Sequence, residues 1–223
     1  ASRGLGDVYK RQLEYLDELD PLCEKMGASN TVVKTPEGKL VGYNTDGIGF
    51  IRSMERDGNV KIDENIYFCI GSGGAGRAMC SALAYYGAKK IYITDVFEES
   101  SKALVEDINK NFAPVAEFCP AGDFSKVKEA TVVLNASGIG MGSHIGENPL
   151  PKEFISKDQF YFDACYNPAK TQFLLDAEEA GATILNGLGM SLYQGAAQIE
   201  YWTGQEPPIE AMRQKLLDII SEK

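Results

Sequence analysis

The stretch Ile66-Tyr67-Phe68-Cys69-Ile70-Gly71-Ser72-Gly73-Gly74-Ala75-Gly76-Arg77 decides the fold. Ile66–Ile70 is an apolar run of strand length, far short of the roughly 18 residues a membrane helix needs. Gly71–Gly76 follows as G-x-G-x-x-G, and Ala75–Tyr86 then shows the apolar spacing of a helix. Alone the glycine pattern is weak; a strand before it and a helix after it supply the context it needs. The first glycine makes a tight turn, and the second lets the backbone approach a pyrophosphate. The third lets helix and strand pack closely, while the helix N-terminus turns its N–H groups toward the phosphates.

Downstream, strand-like runs at Lys90–Asp95, Val115–Phe118, Thr131–Asn135, Phe160–Ala164 and Thr183–Asn186 alternate with helical spacing at Glu98–Asn111 and Thr171–Ala180. This rhythm predicts an α/β fold, a doubly wound parallel sheet with helices on both faces. Two further helices are predicted over Leu188–Thr203 and Pro208–Ser221. Upstream, Leu13, Leu16, Leu19, Leu22, Cys23 and Met26 predict helix, interrupted at Asp20-Pro21 by an N-cap and a proline suited to a first helical turn. Thr35-Pro36-Glu37-Gly38 predicts a hairpin turn between Thr31–Lys34 and Lys39–Asn44. Asn44-Thr45-Asp46-Gly47 then leads into a helix near Ile48–Arg56, which Asp46 is placed to cap.

The second predicted strand ends at Asp95, 19 residues after Gly76 and 24 after Gly71. A carboxylate there suits the adenosine ribose hydroxyls and repels a 2′-phosphate. Thr94-Asp95-Val96-Phe97-Glu98-Glu99 contains no Arg or Lys to receive that phosphate, which favours NAD over NADP.

The net charge of −10 argues against a nucleic-acid-binding surface, which concentrates Lys and Arg. Cys23, Cys69, Cys80, Cys119 and Cys165 are widely spaced and form no CxxC pair, a pattern of reduced thiols in a cytoplasmic protein. No cluster of His, Cys and carboxylates points to a metal. Neither a signal peptide nor a membrane span is expected.

Several motifs stand in the order of one family. Gly27-Ala28-Ser29-Asn30-Thr31 comes first, then Gly42-Tyr43-Asn44-Thr45-Asp46-Gly47 and the glycine loop. Asn135-Ala136-Ser137, Asp163-Ala164-Cys165-Tyr166-Asn167-Pro168 with Thr171, and Asn186-Gly187-Leu188-Gly189-Met190 with Gln194 follow. Together, over Leu13–Lys223, they resemble the shikimate and quinate/shikimate dehydrogenases. The resemblance implies a Rossmann domain between the two parts of a substrate-binding domain, here incomplete. It also implies reversible NAD(P)-linked reduction of 3-dehydroshikimate to shikimate in aromatic amino acid biosynthesis, with quinate as a further substrate. NADP is the commoner cofactor of the family. The expected division is residues 1–46 for the first part of the substrate domain, 47–187 for the dinucleotide domain, and 188–223 for helices returning to the substrate domain. A monomer or a homodimer is compatible with it.

By the same resemblance Asp46 is one half of a catalytic Lys–Asp pair. Asn30, Asp46 and Gln194 hydrogen-bond substrate hydroxyls, and Tyr166 lies at the substrate–nicotinamide boundary. Gly71, Ser72, Gly73, Gly74, Ala75, Gly76 and Asp95 hold the adenosine and pyrophosphate, and Ser137, Ala164 and Gly187 line the rest of the trough. The catalytic Lys is not identified: the family's spacing places it at Tyr9, and the nearest candidate, Lys10, lacks the family's Pro two residues before it. Ala1–Gln12 is read as non-native sequence ahead of a truncated chain. Weak or absent turnover of this polypeptide is expected, as is a catalytically silent nucleotide-binding module as the rival to an active enzyme.

Overall fold

A computed structural model describes residues 13–221. The reading of Ala1–Gln12, Lys10 included, lies outside the described residues.

The first described strand, β1 (Glu18–Leu19), corrects the helix expected from Leu13. It pairs in parallel with a later strand, Glu18 against Val41 and Leu19 against Gly42. Pairing across the chain outranks a short run of helical spacing, because two ladder positions satisfy backbone groups that an isolated turn leaves to water. After Leu13, helix next appears at α1 (Pro21–Met26). There Asp20 accepts hydrogen bonds from the Leu22 and Cys23 amides (3.0 and 3.4 Å), Pro stands in the first turn, and Gly27 closes the helix at φ 68°.

β2 (Thr31–Lys34) and β3 (Leu40–Tyr43) form the expected antiparallel hairpin, in register from Thr31↔Tyr43 to Lys34↔Leu40. With β1 they make a three-stranded sheet of order β1-β3-β2, so the hairpin is not the isolated pair that water would melt. Helix α2 (Thr45–Arg56) follows, and its N-cap is Asn44, which accepts from the Gly47 amide at 3.2 Å. Asp46 therefore lies inside the first turn, relieved of the capping role.

The second sheet has six parallel strands: β4 (Ile66–Ile70), β5 (Lys90–Thr94), β6 (Ala116–Phe118), β7 (Val132–Asn135), β8 (Phe160–Asp163) and β9 (Thr183–Asn186). Their order, β6-β5-β4-β7-β8-β9, is that of the Rossmann sheet, with the direction of winding reversed between β4 and β7. Helices α3 (Gly74–Tyr85), α4 (Glu98–Asn111), α5 (Gln172–Glu179), α6 (Leu188–Thr203) and α7 (Ile209–Ser221) complete the chain, within a residue or two of the expected bounds.

Strand residues alternate between faces, so Tyr67 and Cys69 of β4 join one apolar cluster while Phe68 and Ile70 join another. The first cluster takes Phe50 and Met54 from α2 and Met79 and Leu83 from α3; the second takes Phe173 and Leu174 from α5. Both faces of the sheet are thus covered, as a parallel sheet requires. No described helix is long and apolar enough to cross a membrane. All five cysteines are free and buried.

Close contacts hold α6 against α2. A side chain at Gly49 would put its Cβ 2.5 Å from the Met190 carbonyl oxygen and 2.7 Å from the Gln194 nitrogen. Farther along, Arg52 makes a two-pronged ion pair with Glu200, at 3.0 and 2.7 Å.

Candidate functional site

The glycine loop joins β4 to α3 at the point where the sheet changes winding direction. Gly71 has φ +107°, a conformation that only glycine adopts without strain. A Cβ there would also stand 2.6 Å from the Ala136 carbonyl carbon at the end of β7. At Gly76 a Cβ would stand 2.0 Å from the Gly71 carbonyl oxygen, so the helix packs directly on the strand end. At Gly73 and Gly74, by contrast, a Cβ would meet nothing within 4 Å. Gly73 caps α3 with no side-chain hydrogen bond. The first-turn amides thus lie under an open approach, the geometry a pyrophosphate needs.

Beside the loop is a cavity of about 710 Å³, walled by Gly71, Gly73, Asp95, Phe97, Ser137 and Pro149 among others. Its size and its mix of apolar wall with a few polar groups fit the adenosine half of a dinucleotide. Asp95 Oδ2 accepts from the Ser72 amide at 2.6 Å and from the Ser72 hydroxyl at 2.8 Å, while Oδ1 accepts from the Phe97 amide at 2.9 Å. These bonds aim the carboxylate over the loop. Lys102, one helical turn beyond, is held by Glu98 at 3.4 Å and Glu99 at 2.9 Å.

The expected substrate residues form a second group, absent from the cavity wall. Asn30, at the start of β2, accepts from the Thr45 amide (2.9 Å), the Thr45 hydroxyl (3.1 Å) and the Thr31 hydroxyl (3.0 Å). Its side chain also hydrogen-bonds Asp46. Burial raises the Asp46 carboxyl above its ordinary value, and the Asn30 bond works against that shift. Among the described residues no cation contributes to this balance. Gly49, one turn after Asp46 on α2, admits the Gln194 backbone. Gln198, one turn further along α6, donates to the Thr31 hydroxyl at 3.1 Å. The close approach at Gly49 thus sets the α6 backbone at Gln194 against α2 one turn after Asp46.

Ala164 and Gly187 meet directly, since a Cβ on Gly187 would stand 2.0 Å from the Ala164 carbonyl oxygen. Tyr166 is exposed (37%) on the loop after β8, so its ring is open to a ligand and is no core residue. The sequence reading passed over the side chains around these loops. Asn135, Asp163 and Thr171 are buried and joined by hydrogen bonds at the ends of β7 and β8. Their motifs were visible, but nothing local showed that the three side chains meet. Among the described residues no group of three or more His, Cys, Asp or Glu side chains is placed to hold a metal ion.

Comparison with known proteins agrees with this layout. Residues 187–217 match the family model described as the Shikimate 5'-dehydrogenase C-terminal domain. A shikimate dehydrogenase (NADP(+)) of Bacillus cereus strain B4264 is 38% identical over 210 residues, spanning 92% of this chain and 74% of that protein. The structure of a Listeria monocytogenes shikimate 5-dehydrogenase in complex with shikimate and NAD superposes with a TM-score of 0.88 at 35% identity, over 93% of this chain and 74% of that one. A Corynebacterium glutamicum quinate dehydrogenase in complex with NAD gives 0.87 at 31% identity, over 94% of this chain and 74% of that one. With the glycine loop, the Rossmann strand order and relatives of this similarity in agreement, the chain belongs to the shikimate dehydrogenase family of NAD(P)-dependent oxidoreductases.

Proposed function

We propose that this cleft interconverts shikimate and 3-dehydroshikimate, with quinate and 3-dehydroquinate as a second substrate pair. The observation that carries the reading is the half-buried Asp46 carboxylate, bonded to Asn30, with the Gln194 backbone packed on Gly49 one turn along α2. A cyclic polyol acid offers several hydroxyls in fixed positions, and three convergent polar side chains can recognise it. Asn30, Asp46 and Gln194 hydrogen-bond those hydroxyls, and Tyr166 borders the nicotinamide. Gly71–Gly76 hold the pyrophosphate, Asp95 the adenosine ribose, and Ser137, Ala164 and Gly187 the remaining wall.

When bound, the dinucleotide supplies the hydride acceptor or donor. A hydroxyl that gives up a hydride also gives up a proton, so an acid–base group must stand beside it. Asp46, raised by burial, holds or orients that proton, and in the family it works with a Lys. A nucleotide-binding module without turnover is the second reading, favoured by the lack of any cation at Asp46 among the described residues. Titrating NADH fluorescence alongside shikimate-dependent reduction of NAD and NADP separates the two. Binding with turnover supports the dehydrogenase; binding without turnover supports the module; failure to bind refutes both.

We also propose NAD as the preferred cofactor. The Bacillus relative is named for NADP(+), whereas the Listeria structure holds NAD, so the family accommodates either. In this chain a 2′-phosphate would meet the Asp95 carboxylate, and Lys102 is already paired with Glu98 and Glu99. NADH is expected to bind about tenfold more tightly than NADPH, equivalent to about 1.4 kcal/mol. Asp95→Ser should bring the two affinities together; equal affinities in the unaltered protein would refute the preference. The buried free thiols accord with a reducing cytoplasm.

A further inference from the structure

We infer that Asp163 is a positioning residue for the cofactor, its buried carboxylate tying the loop after β7 to the loop after β8 so that the two walls of the cleft keep a fixed spacing. The inference rests on the dinucleotide reading above and assigns a role to buried side chains that do not line the cavity.

Asp163 is fully buried at the end of β8. Its Oδ1 accepts from the Cys165 amide at 2.9 Å and from Asn135 Nδ2 at 3.1 Å, and the Thr171 hydroxyl donates to Oδ2. The orientation of Asn135 follows from its other bonds. Its Oδ1 accepts from the Ser137 amide at 3.1 Å and the Ser137 hydroxyl at 2.7 Å, so Nδ2 is left to donate to Asp163 and to the Ile139 carbonyl at 2.9 Å. The Ser137 hydroxyl in turn accepts from the Ile139 amide at 3.2 Å. Ser137 and Ile139, which wall the cavity, are therefore fastened through Asn135 to one carboxylate.

The same carboxylate governs the facing loop. Cys165, fixed through its amide, accepts at its carbonyl from the Gly187 amide at 3.1 Å, and Gly187 begins the helix that carries Gln194. Tyr166 is the next residue. Thr171 closes the arrangement from outside: it caps α5, and a Cβ on Gly140 would stand 2.9 Å from it.

Burying a carboxylate is costly unless donors replace the lost water. Burial raises the Asp163 carboxyl from its ordinary value, and the bonds from Thr171, Cys165 and Asn135 oppose the rise. An apolar side chain of similar size would pack here but would leave those donors without an acceptor. The network spends stability on geometry, and the geometry it fixes is that of the two cofactor-facing loops.

The test uses the whole 223-residue chain and NADH fluorescence titration, at a temperature well below the Tm of each variant. Thr171→Val keeps the shape and removes the donor, whereas Thr171→Ser keeps the donor. Thr171→Val and Asp163→Asn are expected to weaken NADH about tenfold, while Thr171→Ser stays within about twofold of the original protein. A role in stability alone would lower Tm and leave the Kd of the folded protein unchanged. That result for Thr171→Val overturns the inference even if Asp163→Asn fails to fold. Failure of the unaltered chain to bind NADH would overturn the dinucleotide reading along with it, a different outcome from equal binding by all variants.

Discussion

Gly76→Ala is expected to abolish measurable NADH binding and to destabilise the protein by several kcal/mol. The added Cβ would fall 2.0 Å from the Gly71 carbonyl oxygen and 2.8 Å from its carbonyl carbon. Both are backbone atoms of a turn that is itself pinned against Ala136, so no flexible side chain can move aside. Overpacking a rigid interior costs roughly 1–3 kcal/mol, and a backbone collision belongs at or above the top of that range. Relief requires the start of α3 to move away from β4, which carries the first-turn amides away from the phosphate position. Gly73→Ala supplies the contrast, because a Cβ there meets nothing within 4 Å and the φ of −68° suits alanine. That variant should keep its urea midpoint and still bind NADH at least tenfold more weakly, since the methyl occupies the space a pyrophosphate enters. Wild-type affinity in both variants would show that the loop does not hold the cofactor.

Asp46→Asn is expected to cost activity and to increase stability at neutral pH. Loss of an acid–base group lowers turnover by roughly 10²–10⁴-fold. Where the unaltered chain turns over too slowly for that comparison, the stability arm stands alone. Burial raises the Asp46 carboxyl above the ordinary 3.8, so the folded state keeps its proton to a higher pH than the unfolded chain does. The stability linked to that proton is complete below the unfolded value and is lost as pH rises through the folded value. At pH 7 the unaltered protein therefore carries an ionised, partly desolvated carboxylate, which asparagine removes while still accepting from Asn30. Thermal melts should place Asp46→Asn above the unaltered protein at pH 7, with the gap closing as the pH falls below about 4. Asp163 titrates in both proteins and cancels from the difference. A lower Tm for Asp46→Asn at pH 7 would contradict burial as the dominant influence on this carboxyl.

The glycine loop, the hairpin turn at Thr35–Gly38 and the Asp20 cap were legible in the sequence. Each is a backbone preference exercised within a few residues, and the side chain that satisfies it is a near neighbour. Strand β1 was not legible, because Glu18–Leu19 is strand only through its pairing with Val41–Gly42. The capping role open to Asp46 is taken by Asn44, two residues earlier.

The sequence by itself determined the α/β class, the strand–loop–helix that receives a dinucleotide, and the family to which the ordered motifs point. Only the tertiary structure decided that the Gln194 backbone packs on Gly49, and that one buried carboxylate, Asp163, binds Asn135, Cys165 and Thr171. Local elements are selected by torsional and hydrogen-bonding preferences that act over one or two turns. The meeting of side chains far apart in the chain depends on helix contact distance and sheet order, which no short window of sequence contains.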